Sequence, residues 1–119
     1  MLERLPEIVN ASETLTHLGR FCTTEFVVEI GDVAHHVVIE RGVVREVVAG
    51  PFKMRSFSFA IRASEAAWRE FWSPVPKPGF HDIFAMSSCG HARIEGDMEP
   101  LLHNLRYIKD VLACLREGE

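Results

Sequence analysis

The chain has 119 residues, 47% of them hydrophobic and 25% charged, with a formal net charge of −4 and a pI of about 5.9. That is enough chain for one compact domain over residues 1–119, and the composition is globular rather than disordered or membranous. No basic block and no Lys/Arg stripe interleaved with aromatics offers a footprint for nucleic acid or an anionic membrane, and no run approaches the roughly 18–20 apolar residues of a spanning helix, so stable membrane insertion is not expected.

The start, Met1 to Pro6, lacks the basic region and long apolar stretch of a signal peptide. Cys22, Cys89 and Cys114 are far apart and odd in number. They match neither a zinc spacing nor a disulfide framework, which leaves reduced thiols in a cytoplasm as the simplest reading. Leu2, Leu5, Ile8 and Val9 predict a short helix interrupted near Pro6. Asn10-x-x-Glu13 reads as a capping box, with Leu15 and Leu18 behind it and Gly19 as the stop. Neither piece is long, so both are expected to cover something else.

From Phe21 the period changes to two, and Cys22, Thr24, Phe26, Val28 and Ile30 mark one face of a half-buried strand. Gly31-Asp32 is a hairpin signal leading into a strand from Val33 to Glu40, and Arg41-Gly42 turns the chain into Val43 to Ala49. A three-strand antiparallel meander follows. Its valines, among them Val27, Val38 and Val43 to Val48, occupy both faces, so the second face is not fully wet and a second copy is an expected partner. After the break at Gly50-Pro51, Arg55 to Arg62 predicts another strand carrying Phe57, Phe59 and Ile61 on one side. Ser64 and Glu65 open a helix whose Trp68, Phe71 and Trp72 recur at i, i+3 and i+4.

Ser73 to Gly79 contains three prolines and is a stiff connector. Phe80 to Ser88 predicts a short helix, His91 to Glu95 a last strand, and Gly96-Asp97 a turn. Leu101, Leu105, Ile108, Leu112 and Leu115 then mark one long helix through Arg116, with Asp97 as N-cap. Eight aromatics fall between Phe52 and Phe84. At roughly 150–250 Å² each they supply much of the buried apolar surface, as a solid core or as the lining of a cavity.

This order of elements resembles the sterol carrier protein (type 2) domain, a family of small lipid-binding and lipid-transfer modules. The residues that carry the resemblance are Phe26-Val-Val-Glu-Ile-Gly-Asp32, Val38-Ile-Glu-Arg-Gly-Val43, Phe59-Ala-Ile-Arg-Ala-Ser64 leading into Trp68, and Ala92-Arg-Ile-Glu-Gly-Asp97. The resemblance spans about Phe21 to Leu115. It implies an α+β fold, with a mostly antiparallel β-sheet of about five strands covered by helices, a long C-terminal helix and an apolar tunnel between the layers. Two features depart from the family pattern: the broken start, where the family has a longer amphipathic helix, and the proline-rich connector. The C-terminal Arg-Glu-Gly-Glu carries no peroxisomal address.

The function implied is non-catalytic binding of a fatty-acyl or sterol-like ligand between sheet and helices. Phe26, Val28, Phe57, Phe59 and Ile61 would line the sheet side, with Trp68, Phe71, Trp72, Phe84, Leu101, Leu105 and Ile108 on the helices. Trp68 or Trp72 could offer an indole N–H to a ligand oxygen. The alternative is an interaction or regulatory module of the same fold with its cavity filled.

Catalytic letters are sparse. His35 and His36 are adjacent on a strand and point to opposite faces. No pair of histidines has the i, i+4 spacing of a helical zinc site, and Ser87-Ser88-Cys89 is not a nucleophile elbow. The spread glycines form no phosphate-cradling loop. Neither a metal nor a cofactor is expected, and an enzyme is the weakest reading, as a small hydrolase or isomerase using His81-Asp82 or His91.

Overall fold

The computed structural model describes residues 2–50 and 56–116. Phe52 and the expected start of the fourth strand at Arg55 lie outside the described residues, as do Met1 and residues 117–119. The period-two segments form β1 (Thr24–Ile30), β2 (Val33–Glu40), β3 (Val43–Ala49), β4 (Phe59–Ala63) and β5 (Ala92–Gly96) in one sheet of order β3-β2-β1-β4-β5. β1, β2 and β3 are the expected antiparallel meander, β4 runs parallel to β1, and β5 pairs antiparallel with β4. Both hairpin turns use positive φ, at Gly31 and at Arg41-Gly42, as tight strand reversals require.

The helices are α1 (Leu5–Asn10), α2 (Glu13–Leu18), α3 (Glu65–Phe71), α4 (Ile83–Ser88), α5 (Glu99–His103) and α6 (Leu105–Ala113). The pairing register sorts the strands into two faces. Phe26 and Val28, Val37 and Ile39, and Phe59 and Ile61 share the face that joins one core cluster with Leu5, Trp68, Ile108 and Leu112. On the opposite face Arg62 bridges Glu29 on β1 and Glu95 on β5. That face is not wholly wet, as the two-sided valines suggest. Val27, His36 and Ala60 are buried there, and the His36 Nε2–H donates to the Ser56 carbonyl at 2.9 Å.

Four local expectations are corrected. Pro6 does not interrupt a helix; it occupies the first turn of α1 after a 3-10 turn at Leu2–Arg4, where its missing N–H costs nothing. Asn10 does not cap α2, because Ser12 does so, accepting from the Leu15 N–H at 3.2 Å. The Asn10 amide instead closes a two-way bond with the Val44 backbone, donating to its carbonyl and accepting from its N–H, each at 2.9 Å. This ties the end of α1 to the edge strand β3. The single long C-terminal helix is two helices broken at Asn104, whose side chain donates to the Pro100 carbonyl and so competes with helix continuation. Asp97, two residues before α5 begins, accepts from the Glu99 N–H, and the cap position itself falls to Met98.

α6 is fastened at the centre of the fold by Tyr107. Its hydroxyl donates to the Gly42 carbonyl at 2.8 Å, and a Cβ on Gly19 would lie 2.4 Å from its ring. Gly19 therefore has to be glycine for close approach, and Gly42 both for its φ of +80° and because a Cβ there would meet the Thr16 carbonyl at 2.6 Å.

Two predictions follow from this packing. Phe59 is fully buried and Phe57 is 42% exposed. Phe59→Asp should therefore cost more than about 4 kcal/mol and abolish the folded baseline, whereas Phe57→Asp should cost less than about 1 kcal/mol, both read from urea denaturation. Burial also pushes the Cys22 thiol up to about 11 and the Tyr107 phenol up from its ordinary 10.0. Both groups are buried neutral, and both ionise more readily in the unfolded chain. Each contribution is complete below the group's ordinary value, 9.0 for Cys22 and 10.0 for Tyr107, and is lost as pH rises above it. The urea midpoint should be flat from pH 7 to 8.5 and fall above 9, with Cys22→Ala delaying the onset.

Candidate functional site

α3 decides what the aromatic cluster does. Ser64 caps it, accepting from the Ala67 N–H at 3.1 Å, and the i, i+3, i+4 spacing then turns Trp68, Phe71 and Trp72 inward. All three are at most 5% exposed. The Trp68 and Trp72 rings stack with centroids 5.1 Å apart, and Phe71 stands edge-on to Trp68 at 5.4 Å. Both indole N–H groups are already committed. Trp68 Nε1 donates to the Glu29 carbonyl on β1 at 2.8 Å, and Trp72 Nε1 donates to the Leu112 carbonyl on α6 at 2.8 Å. The expectation that either would reach a ligand oxygen is overturned, since each has one hydrogen and a backbone carbonyl already holds it.

The seam between sheet and helices is shut. Phe26, Val28, Phe59, Ile61, Phe71, Leu101 and Ile108 are at most 1% exposed and belong to one core cluster. Phe26 and Phe59 stack across β1 and β4 with centroids 5.0 Å apart and planes 5° from parallel. Phe57 is outside the core, just ahead of β4. Phe84 and Leu105 are partly buried at its margin, with the Lys109 ammonium 5.9 Å from the Phe84 ring centroid.

The open space lies at the edge of this core instead. A pocket of about 530 Å³ sits where α3 leaves the sheet. Leu2, Ile30, Val33, Trp68, Trp72 and Pro74 provide its apolar walls, and His35, Glu65, Arg69 and Ser73 its polar groups. Of the residues expected to touch a ligand, the structure brings only Trp68 and Trp72 to this pocket. The rest of the lining was not legible as a site, because it comes from separated segments. Leu2 belongs to the N-terminal stripe, Ile30 and Val33 flank the first hairpin turn, and Pro74 lies in the stiff connector. The nearest signal was the connector's position next to Trp72.

Elsewhere the candidate polar residues have partners within the fold. Asp82 caps α4 through the Ala85 N–H at 2.8 Å and pairs with Lys109 at 3.5 Å. Burial pushes its carboxyl up, but that N–H and Lys109 outweigh burial and leave it below its ordinary value. His91 stacks on Phe80 at 4.2 Å. A shallow groove of about 610 Å³ runs beside Glu29, Arg62 and Arg93, where the charges pair with one another. Among the described residues no group of three His, Cys, Asp or Glu is placed to hold a metal, and no helix is long and apolar enough to cross a membrane.

Trp68→Phe removes the N–H but keeps most of the ring, leaving the Glu29 carbonyl without that donor. It should cost about 1–3 kcal/mol in denaturant titrations.

No protein-family model and no curated protein sequence matches the chain. Solved structures do. Sterol carrier protein 2 aligns over 97% of this chain and 92% of its own, at 17% identity and a TM-score of 0.76. A conserved protein from Thermus thermophilus, described as possibly a sterol carrier protein, aligns over 96% and 85% at 16% identity and 0.67. Apo sterol carrier protein 2 from Yarrowia lipolytica aligns over 98% and 90% at 7% identity and 0.62. With its mixed five-stranded sheet and, among the described residues, six α-helices laid on it in this order, the chain has the sterol carrier protein 2 fold.

Proposed function

We propose that the chain is a non-catalytic binder of an apolar, lipid-like small molecule, held in the pocket behind α3 rather than in a tunnel through the core. The observation that carries this reading is the pocket itself. Its volume of about 530 Å³ falls in the 300–1,000 Å³ range of small-molecule sites. Its walls are aliphatic and aromatic with a few polar groups, the composition such sites need. The fold likeness supports the same class of ligand, and the structural duties of Asp82 and His91 speak against a hydrolase or isomerase centred on them.

The shut seam favours a second reading, an interaction or regulatory module whose cavity has filled. Under it the pocket is a surface cleft with no resident molecule. On the far face Val27 is buried within one chain, whereas Val38 and Val48 stay partly exposed, which is what supports a second copy as a partner.

Both tryptophans of the chain line the pocket, so intrinsic fluorescence reports occupancy. Titration with the neutral apolar dye Nile red should give a saturable, one-to-one change. Val33→Phe, at a rim position that is 45% exposed, should weaken binding about tenfold by overfilling the pocket with little change in thermal midpoint. Absence of saturable binding, or an unchanged affinity in Val33→Phe, would reject the pocket and favour the filled module.

A further inference from the structure

The two edges of the sheet are finished differently. At β3 the outward N–H and C=O of Val44 are taken up by the Asn10 amide. At β5 the register with β4, together with the bond from the Asp97 N–H to the Ser58 carbonyl, puts Arg93 and Glu95 in the hydrogen-bonded positions. The N–H and C=O of Ala92 and Ile94 therefore point away from β4. Among the described residues nothing pairs with them.

The sequence of β5, Ala92-Arg-Ile-Glu-Gly96, is complementary to itself in reverse. In an antiparallel pairing centred on Ile94, Arg93 faces Glu95 of a second copy and Glu95 faces its Arg93. Ile94 exchanges both backbone bonds with its own counterpart. Ala92 lies opposite Gly96, where neither side chain obstructs a close approach. Edge strands are commonly guarded by charged side chains, but here the signs alternate so that the same charges attract.

The charges around β5 favour that arrangement. Arg93 stands directly across from Arg62 in the β4–β5 pair, a like-charge placement that costs stability. Both guanidinium groups draw on one carboxylate oxygen, Glu95 Oε1, Arg62 at 2.5 Å and Arg93 at 3.4 Å. Arg62 also has Glu29, whereas the Arg93 side chain is 72% exposed and faces the open groove. A second copy gives Arg93 a carboxylate directly opposite. On the other side of the sheet the half-buried Ile94 meets its own counterpart at the axis.

We propose that β5 is a dimerisation edge, at which two copies of this chain pair antiparallel about Ile94 and join their sheets into one. The contact is isologous, each copy giving the same strand. It shares no residue with the pocket behind α3 and does not depend on it.

Sedimentation velocity of the full chain, over a series reaching high micromolar concentration, tests the proposal. The wild type should move towards twice its 13.5 kDa mass. Arg93→Glu and Glu95→Arg each set like charges opposite one another twice across the axis, and each should weaken self-association about tenfold or more. An equimolar mixture of the two variants should dimerise again, since each then meets the sign it lacks. Circular dichroism checks that both are folded. The wild type also carries a test of its own: exchange of the Ile94 amide with solvent should slow as concentration rises. A monomer at every concentration, or an Ile94 amide that exchanges equally fast throughout, would overturn the proposal. A dimer that survives both single variants would overturn it too and move the interface to the valines of the far face. Folded variants whose mixture stays monomeric would reject the pairing of charges across β5.

Discussion

The two indole hydrogen bonds of α3 hold the architecture in its closed form. Trp68 reaches the carbonyl of Glu29 on β1, and Trp72 reaches the carbonyl of Leu112 on α6. One short helix is thereby fastened on one side to the sheet and on the other to the last helix. A buried donor released from its acceptor costs roughly 1–3 kcal/mol, so separating the layers along this seam would forfeit two such bonds together with the stacked rings around them. The aromatic density that suggests a lined cavity in the sequence is what fills the space.

Other contacts brace the same arrangement. Tyr107 runs from α6 to the Gly42 carbonyl in the β2–β3 turn, over a bare Gly19. Arg116 donates to the carbonyls of Phe71 at the end of α3 and of His81 just ahead of α4. Asn10 fastens α1 to the outermost strand. With the centre closed, the space left over is at the margin, where α3 departs from the sheet.

Much of the fold was legible because period-two alternation and turn residues act locally. Val33–Glu40 and Val43–Ala49 are the strands that the Gly31-Asp32 and Arg41-Gly42 turns predict. The adjacent histidines do face opposite ways, His36 toward Ser56 and His35 toward the pocket. Less legible were the points where one side chain had two uses. Asn10 and Asn104 both look like helix residues or caps, yet each spends its amide on a distant or preceding carbonyl, a competition that spacing does not decide. The candidate site was read only in part for a different reason. Periodicity shows that Trp68, Phe71 and Trp72 share a face, but not whether the groups opposite leave a gap. It also cannot bring Leu2, Val33 and Pro74 together, since that takes the tertiary path of the chain.

On the proposed reading, ligand occupies the margin while the aromatic seam stays closed. Amide and indole NMR shifts, recorded as 1-dodecanol is added to the full chain, test it most directly. The account predicts shift changes confined to Leu2, Ile30, Val33, His35 and the two tryptophans, with both indole protons still protected from exchange. Changes centred on Phe26, Phe59, Ile61 and Ile108, or loss of indole protection on binding, would show that the seam opens and would contradict it.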